Sequence, residues 1–263
     1  YDSKSTLDLR NKVELLTACI ELAPDLIINA ASRKGSDYCD LNIRETLEVN
    51  VLGIQNLIEV CNKLLIPVIH FGTTAYYHSD QNLTPISEDS LKEPRSIYGW
   101  TKLGQVLLFQ ETANFPYMIL EPVFLYGNLD EYSSGRSESV PDILVNLVHC
   151  PQMYSYLPVS VRISPYYVKD YTHIEDFCWI IERIIERPQW NDRILIGAGY
   201  NHTFSSEADL VIALVKDKIK FLEETDYKKN QVHNYSKLER LYPEWGQHHR
   251  ISLREYFQTK AIF

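Results

Sequence analysis

The sequence predicts an α/β fold, a Rossmann-like doubly wound parallel sheet followed by a smaller C-terminal lobe. Short runs of continuously apolar residues recur along the chain, as the strands of a parallel sheet covered on both faces require. Between them lie longer stretches in which apolar residues repeat at helical spacing. Strands and helices that alternate in this way are typical of right-handed βαβ units.

Apolar runs predict the strands, and stretches with helical periodicity predict the helices. The strands are predicted at residues 25–31, 67–71, 117–120 and 193–197. The helices are predicted at residues 11–22, 43–65, 98–114, 143–148, 174–185 and 253–258. The longest of them, 43–65, is predicted to be one continuous amphipathic helix with a single apolar stripe. The residues of that stripe are Leu47, Val51, Ile54, Leu57, Ile58 and Cys61.

The amino-acid composition of the chain changes after Gly127. Residues 128–165 are rich in Ser, Pro, Tyr and Glu, and residues 200–263 are more polar than the part before them. We therefore expect a Rossmann-like body over residues 1–127, to which residues 166–199 return. The smaller lobe is then assembled from 128–165 and 200–263.

The beginning of the chain differs from the usual order of such a sheet. A doubly wound nucleotide-binding sheet normally opens with a strand, a glycine-rich turn and a helix. This chain has only 10 glycines and contains neither GxGxxG nor GxxGxxG. We therefore expect the first βαβ unit to be missing from this sequence.

Composition and charge narrow the class of protein. The chain has 263 residues, 45% of them hydrophobic and 23% charged, which suits a globular protein with a substantial core. Its net charge of −9 disfavours binding to nucleic acid. No membrane span and no secretory or lipid-anchor signal is expected. Five dispersed cysteines without a CxxC spacing predict reduced thiols in a cytoplasmic protein.

The sharpest local signal is Tyr98-Gly99-Trp100-Thr101-Lys102, a tyrosine and a lysine one helical turn apart. Residues at i and i+4 share a helix face, and a nearby ammonium lowers the pKa of a phenol toward neutral pH. The pair would then exchange a proton with a carbinol or a carbonyl. The spacing also fits a simple surface pair, because chance supplies it in a chain with 18 tyrosines.

A hydroxyl cluster follows the strand predicted at 67–71. It consists of Thr73 and Thr74, followed by Ala75-Tyr76-Tyr77. Because ligands of doubly wound sheets bind at the carboxyl ends of the strands, either hydroxyl would reach the reacting oxygen of a substrate. The alternative is a helix cap or a turn residue.

In their order, these segments resemble the extended short-chain dehydrogenase/reductase family, in particular its NAD-dependent epimerase/dehydratase group acting on nucleotide sugars. The resemblance covers most of the chain. The matching segments are Asp8-Leu9, 24–31 (P-D at the start of a strand and A-A at its end), 50–57 (N-V-x-G-x-x-N-L), Thr73 (five residues before the end of V-Y-G), Tyr98 with Lys102 (Y-x-x-x-K), 121–127 (R-P-x-x-x-Y-G) and 169–176 (R-D-Y-x-H-V-x-D).

Three departures from the family pattern bear on ion pairing, on phosphate recognition and on the turn after Thr73. Glu121 stands where arginine is usual, so the local ion pairing must differ. Lys169 also replaces an arginine, which keeps the positive charge but loses bidentate recognition of phosphate. His78 replaces the glycine of V-Y-G, so we expect that turn to differ.

The resemblance implies a role for each site residue. Tyr98 would move the hydroxyl proton, Lys102 would lower the pKa of Tyr98 and hold the nicotinamide ribose, and Thr73 would hydrogen-bond the substrate oxygen. The implied cofactor is NAD or NADP. Its expected binding residues are Asp8, Leu9, Asn29, Ala30, Ala31, Asn50, Tyr98, Lys102 and Pro122. Asn50 also fits a plain amide on a helix surface.

The expected partner is a nucleotide sugar, bound in the smaller, substrate-binding lobe. Its candidate contacts are Thr74, Arg136, Arg162 and Lys169, with the two arginines as partners of the diphosphate. The polar loop 133–137 that contains Arg136 also fits a merely mobile loop. No metal is expected, because His248 and His249 are adjacent in sequence and no third ligand is spaced near them.

The side chains after Thr73 discriminate between reactions. In the family, sugar dehydratases carry Asp-Glu directly after the catalytic Thr, and decarboxylating relatives carry Glu two positions after it. Here these positions are Thr74 and Ala75, which supply no acid or base. The resemblance therefore implies a 4-epimerase or a 4-keto-sugar reductase.

The rival hypothesis is a catalytically silent relative, a regulatory or dinucleotide-sensing subunit that keeps the fold. The missing glycines and Glu121 favour it, whereas the intact set of Thr73, Tyr98 and Lys102 favours an enzyme. A homodimer built on the helices 43–65 and 98–114 is also expected, as the family often forms one.

Overall fold

The computed structural model describes residues 7–78, 84–127, 140–149, 158–161, 168–200, 202–221 and 231–260. Contacts between residues divide the chain into two compact units. The first unit comprises Tyr1–His78, Ser90–Pro122 and Arg187–Ile194. The second comprises Ser79–Asp89, Val123–Glu186 and Leu195–Phe263.

The sequence predicts that residues 166–199 return to the Rossmann-like body. Within that range, residues 187–194 belong to the first unit and the others belong to the second. The assignment of cofactor binding to one part of the chain and of substrate binding to the other stays a prediction.

The first unit alternates helices and strands in the order that the sequence predicts. Its elements are α1 (Lys12–Leu22), β1 (Ile27–Asn29), α2 (Ser36–Leu41), α3 (Ile43–Leu47), a π-helical segment (Glu48–Leu52), α4 (Gly53–Leu64), β2 (Val68–Phe71), α5 (Ile97–Thr112), β3 (Tyr117–Pro122) and the start of β8 (Asp192–Ile196). The predicted boundaries agree to within a few residues, except that the strand expected at 25–31 is shorter.

A parallel sheet forms the centre of this unit. In the described part of the chain it has four strands in the order β1-β2-β3-β8. β1, β2 and β3 pair in parallel, with Asn29 opposite His70 and Phe71 opposite Leu120. Ile69 and Ile119 are fully buried, as the continuously apolar runs require. The predicted Rossmann-like α/β fold is confirmed.

The helix predicted over 43–65 is present, since the chain is helical without interruption from Ile43 to Leu64, but its middle turn is π-helical rather than α-helical. The structure divides this stretch into α3, the π-helical segment and α4. In the π-helical segment the carbonyl oxygen of Asn50 accepts a hydrogen bond from the Gln105 side chain, at 2.7 Å. A side chain that bonds into the helical ladder is a known cause of such a local change. The apolar stripe carries no signal for it, because the stripe records burial and not backbone hydrogen bonds.

The second unit contains short strand pairs and helices. Its elements are β4 (Phe124–Tyr126), α6 (Val140–His149), β5 (Val159–Val161), β6 (Val168–Lys169), β7 (Tyr171–His173), α7 (Ile174–Glu186), the end of β8, β9 (His202–Thr203), α8 (Phe204–Val215), β10 (Ile219–Phe221), α9 (Ser236–Leu241), α10 (Glu244–Gln247) and α11 (Leu253–Lys260). β4 pairs with β7 and β5 with β10, both in parallel, whereas β6 and β9 are antiparallel. Among the described helices, none combines the length and the apolar composition needed to cross a membrane.

A buried carboxylate organises one part of the second unit. Asp170 is fully buried and accepts hydrogen bonds from the amides of Gly199 (2.8 Å) and Tyr200 (3.0 Å) and from the hydroxyl of Tyr235. Burial raises the pKa of Asp170 to about 6, although these hydrogen bonds oppose the shift. Gly197 lies directly against this group, so the packing leaves no room for a side chain there.

Gly197→Ala is expected to destabilise the second unit. The added Cβ would overlap the Tyr235 hydroxyl and lie 2.6 Å from a carboxylate oxygen of Asp170, and both side chains are buried. Overpacking of this kind costs about 1–3 kcal/mol or more of unfolding free energy. Thermal and urea unfolding measure the loss. Gly246→Ala is the matched control, since its Cβ meets nothing within 4 Å. Equal stability of the two variants would contradict the expectation.

Candidate active site

A buried lysine connects α5 to the end of β2. Lys102 is only 3% exposed, and its Nζ donates a hydrogen bond to the carbonyl oxygen of Phe71, at 2.7 Å. Phe71 is the last residue of β2, the strand end where ligands of doubly wound sheets bind. Burial penalises the charged ammonium and lowers the pKa of Lys102 to about 7.

The turn that carries Thr73 begins directly after this strand. The amide of Gly72 donates to the carbonyl of Leu120 at 2.7 Å and so extends the pairing of β2 with β3. Thr73 is half-buried, and its Oγ1 accepts a hydrogen bond from the amide of Ala75, at 3.2 Å. The hydroxyl therefore stabilises its own turn, which is the alternative role that the sequence left open. Because a hydroxyl oxygen has two lone pairs and one proton, it can also bond a ligand.

Tyr98 lies in the first turn of α5 and is half-buried. The helix is capped by Ser96, whose side chain accepts from the amide of Gly99 at 3.1 Å. A Cβ on Gly99 would lie 3.1 Å from the carbonyl oxygen of Ala75, so the start of α5 packs closely on the Thr73 turn. The structure thus brings the segments of Thr73, Tyr98 and Lys102 together at the carboxyl end of β2.

Asn50 is fully buried, unlike an amide on a helix surface. Its Oδ1 accepts from the amide of Arg33 at 2.7 Å, and its Nδ2 donates to the carbonyl of Arg33 at 2.9 Å and to Oγ1 of Thr101 at 3.1 Å. The Thr101 hydroxyl in turn donates to the carbonyl of Tyr98, at 2.9 Å. Asn50 therefore fixes the segment after β1 to the helix that carries Tyr98 and Lys102.

A second buried chain of hydrogen bonds passes through His70, a residue that belongs to none of the sequence motifs. Nδ1 of His70 lies 2.9 Å from Nδ2 of Asn29, and Nε2 lies 2.9 Å from Oε1 of Gln105. Since the Asn29 amide group donates and the Gln105 oxygen accepts, the ring is neutral with its proton on Nε2. Burial, together with the charge of Lys102, lowers the pKa of His70 to about 3. The one available signal was a histidine inside an otherwise apolar strand.

The remaining candidate cofactor residues of this unit lie near strand ends or against α4. Ala30 and Ala31 follow β1 and are exposed, and Pro122 ends β3 half-buried. Leu9 packs closely on Gly53, because a Cβ added to Gly53 would lie 3.0 Å from the Cβ of Leu9. Asp8 accepts hydrogen bonds from Arg10, which lower the pKa of its carboxyl.

The structure does not bring the candidate substrate residues together within the described part of the chain. Thr74 is 5% exposed, and its carbonyl accepts from the amide of Tyr77 at 3.1 Å. Lys169 belongs to the second unit, where its Nζ lies 3.8 Å from the centre of the Phe124 ring. Arg136 and Arg162 lie outside the described residues. Within the described ranges, no group of three or more His, Cys, Asp or Glu side chains is placed to hold a metal ion.

The fold and the position of these residues at a strand end define an α/β protein of the Rossmann-like class. The model of the NAD dependent epimerase/dehydratase family matches residues 3–197. The chain therefore belongs to the NAD-dependent epimerase/dehydratase family, which confirms the resemblance inferred from its motifs.

Individual relatives show the range of proteins to which this chain is similar. A dTDP-4-dehydrorhamnose reductase of Sinorhizobium fredii is 29% identical over 60% of this chain and 55% of its own length. The methionine adenosyltransferase 2 subunit beta of Xenopus laevis is 23% identical over 69% of this chain and 50% of its own length. The chain thus spans about half the length of the curated relatives it matches.

Solved structures share the fold at low sequence identity. The UDP-glucose 4-epimerase of Thermotoga maritima, crystallised with UDP-glucose, superposes with a TM-score of 0.77 at 17% identity. The match covers 98% of this chain and 82% of the epimerase. The part of the chain that the structure describes therefore shares the fold of this enzyme.

Acidification is expected to destabilise the first unit through His70. The unfolded chain binds a proton at this residue below about pH 6.5, whereas the folded state binds it only near pH 3. The free energy of unfolding therefore falls as the pH is lowered through this range, by up to about 1.4 kcal/mol per pH unit from this residue. Urea unfolding between pH 7 and pH 5 is expected to show a flatter dependence for His70→Phe.

A variant of an exposed histidine serves as the control for this experiment. His249 belongs to the second unit and its side chain is 79% exposed. His249→Gln is expected to keep the pH dependence of the parent protein. An unchanged slope in His70→Phe would contradict a neutral, buried His70.

Proposed function

We propose that this protein is an NAD(P)-dependent nucleotide-sugar epimerase or 4-keto-sugar reductase that transfers hydride at a sugar carbon. The observation that carries the proposal is the buried Lys102, bonded to the carbonyl of Phe71 at the end of β2. Tyr98 lies one helical turn before it, and the Thr73 turn packs against the start of the same helix. Family membership supports the enzyme class.

The donor set at this strand end fits the nicotinamide end of a dinucleotide. An ammonium has three protons, and the Phe71 carbonyl takes one of those on Lys102, which leaves donors for ribose hydroxyls. The exposed Ala30 and Ala31 follow the neighbouring strand, as expected for residues that border a ligand. When bound, the nicotinamide ring accepts or returns the hydride.

The residues of the chain would handle the proton and the oxygen. Tyr98 takes the proton of the sugar hydroxyl as the carbonyl forms, or returns it as the carbonyl is reduced. Lys102, when charged, stabilises the phenolate form of Tyr98 and so lowers its pKa. The Thr73 hydroxyl donates to the substrate oxygen while its lone pair holds the amide of Ala75, so that its proton points outward.

The wider organisation belongs to the same proposal. A substrate lobe would bind the nucleotide sugar through Arg136, Arg162 and Lys169. A homodimer is supported by the exposed Leu47, Trp100 and Leu107 on the helices expected to form its contact. We also propose a cytoplasmic location.

A catalytically silent subunit is the second candidate. Its support is the similarity to the methionine adenosyltransferase 2 subunit beta, which is a subunit by its name. The two candidates differ in turnover rather than in cofactor binding. A protein that binds NAD or NADPH but converts neither UDP-glucose nor dTDP-4-dehydrorhamnose would favour the subunit.

Tyr98→Phe is expected to lower kcat roughly 10²–10⁴-fold, because it removes the proton donor and keeps the ring. The measurements are conversion of UDP-glucose with NAD, and reduction of dTDP-4-dehydrorhamnose with NADPH, each by the full chain. Cofactor binding, followed by nicotinamide fluorescence, is expected to change little.

Tyr38→Phe is the matched control for this variant. Tyr38 is an exposed tyrosine of the same unit whose hydroxyl donates to Glu45. We expect it to keep the parent activity. Full activity of Tyr98→Phe would remove Tyr98 from the chemistry.

A further inference from the structure

A buried carboxylate lies at the end of β3, beside the Thr73 turn. Glu121 is fully buried. The hydroxyl of Tyr76 donates to its Oε1, and the hydroxyl of Tyr77 donates to its Oε2 at 2.6 Å. Nη1 of Arg193 lies 3.1 Å from Oε1 and 3.3 Å from the Tyr77 oxygen. We call these four residues the Glu121 cluster.

The four side chains of the cluster interact strongly with one another because they are shielded from water. Tyr76 and Tyr77 are buried, and the Arg193 side chain is only 13% exposed. Burial raises the pKa of Glu121, while Arg193 and the two tyrosines oppose this shift. Burial also raises the pKa of Tyr76, so that this phenol stays protonated and donates. Removing one member of such a group leaves buried partners unsatisfied, which is costly.

The cluster is joined to Thr73 through the turn itself. Gly72 bonds to Leu120 at the start of the turn, and a Cβ on Gly72 would lie 3.2 Å from Cγ of Glu121. At the other end of the turn, the amide of Tyr77 donates to the carbonyl of Thr74. On one side of Thr73, Gly72 is hydrogen-bonded to the backbone of β3. On the other side, Tyr76 and Tyr77 are hydrogen-bonded to Glu121.

The cluster also combines departures from the family pattern. Glu121 replaces the usual arginine, and Tyr76 stands at the valine position of V-Y-G. In the structure these two departures are hydrogen-bonded to each other. From the sequence alone, Glu121 is an acidic residue without an evident partner. In the structure, Arg193 on β8 provides the opposite charge.

We propose that Glu121 is a positioning residue, which holds the Thr73 hydroxyl toward the reacting oxygen through Tyr76 and Tyr77. This inference rests on the proposed function, because it requires that Thr73 acts on the substrate. It goes beyond a buried ion pair that stabilises the fold, since it places the effect of Glu121 on one catalytic step.

A double-mutant cycle of Glu121→Gln and Thr73→Ala tests the proposal. Glutamine keeps the shape but replaces one acceptor oxygen by an amide group that cannot accept from a tyrosine. We expect Glu121→Gln to lower kcat about tenfold with the KM for the cofactor unchanged, and to have little effect in the Thr73→Ala background. The reactions are those with UDP-glucose and NAD, and with dTDP-4-dehydrorhamnose and NADPH.

Hydrogen exchange measured by mass spectrometry gives a readout that does not depend on activity. In Glu121→Gln, the amides of residues 72–78 are expected to exchange faster, and those of α4 to exchange as in the parent protein. Glu59→Gln, which changes an exposed carboxylate of the same unit, is the control for both measurements. If Glu121→Gln does not fold, Tyr76→Phe keeps the ring, removes one donor and is expected to act in the same direction.

The outcomes separate the two proposals. If Thr73→Ala lowers kcat and Glu121→Gln lowers it by the same further factor in both backgrounds, the positioning role is wrong and the proposed function stands. Unchanged exchange in residues 72–78 also overturns the positioning role. If Thr73→Ala keeps full activity, Thr73 has no part in the chemistry and the positioning role falls with it, whatever the exchange shows.

Discussion

The hydrogen bond from the Lys102 ammonium to the Phe71 carbonyl is the contact on which the candidate site depends. A buried ammonium needs a partner, since its loss of hydration is otherwise uncompensated. The carbonyl at the end of β2 provides one and so holds α5 against that strand end. The close packing of Gly99 on Ala75 then places the first turn of α5, with Tyr98, beside the Thr73 turn. Because the pKa of Lys102 is lowered to about 7, its charge responds near neutral pH to a phenolate or a ligand beside it.

A group of buried polar side chains lies beneath this site, in the otherwise apolar centre of the sheet. Asn29, His70 and Gln105 satisfy one another, and the chain ends on the carbonyl of Asn50 in the π-helical segment. Each of these groups would be costly if it were left unpaired in the interior. Together they hold the end of β1, the centre of β2 and the helix α5 in one arrangement. A purely apolar layer would bury more hydrophobic surface, but it would not fix these backbone positions relative to one another.

The fold was predictable because burial leaves a periodic signal, whereas the buried polar contacts leave none. The continuous hydrophobicity of 67–71 and 117–120 predicts β2 and β3, and the spacing of Tyr98 and Lys102 predicts a shared helix face. The π-helical turn at Glu48–Leu52 was not predicted, since the bond that accompanies it joins Asn50 to a glutamine 55 residues further along the chain. Arg193 was missed for the same reason, because its pairing with Glu121 joins residues 72 positions apart. Motif order predicts the residues that would act on ligands, whereas the buried residues that hold them in place become visible only in the structure.

The choice of reaction is separable from the geometry of the site. The contacts that bring Thr73 beside α5 use backbone atoms of the turn, since the carbonyl of Ala75 meets Gly99 and the carbonyl of Thr74 accepts from Tyr77. The side chains at 74 and 75 are therefore not required for this arrangement. The resemblance assigns to these two positions the acid and base of sugar dehydratases, and here they are a buried hydroxyl and an exposed methyl group. Neither of these two side chains supplies the acid or the base that eliminating water requires. Under the proposed function, the backbone of the turn therefore places Thr73, and the side chains at 74 and 75 favour epimerisation or reduction over dehydration.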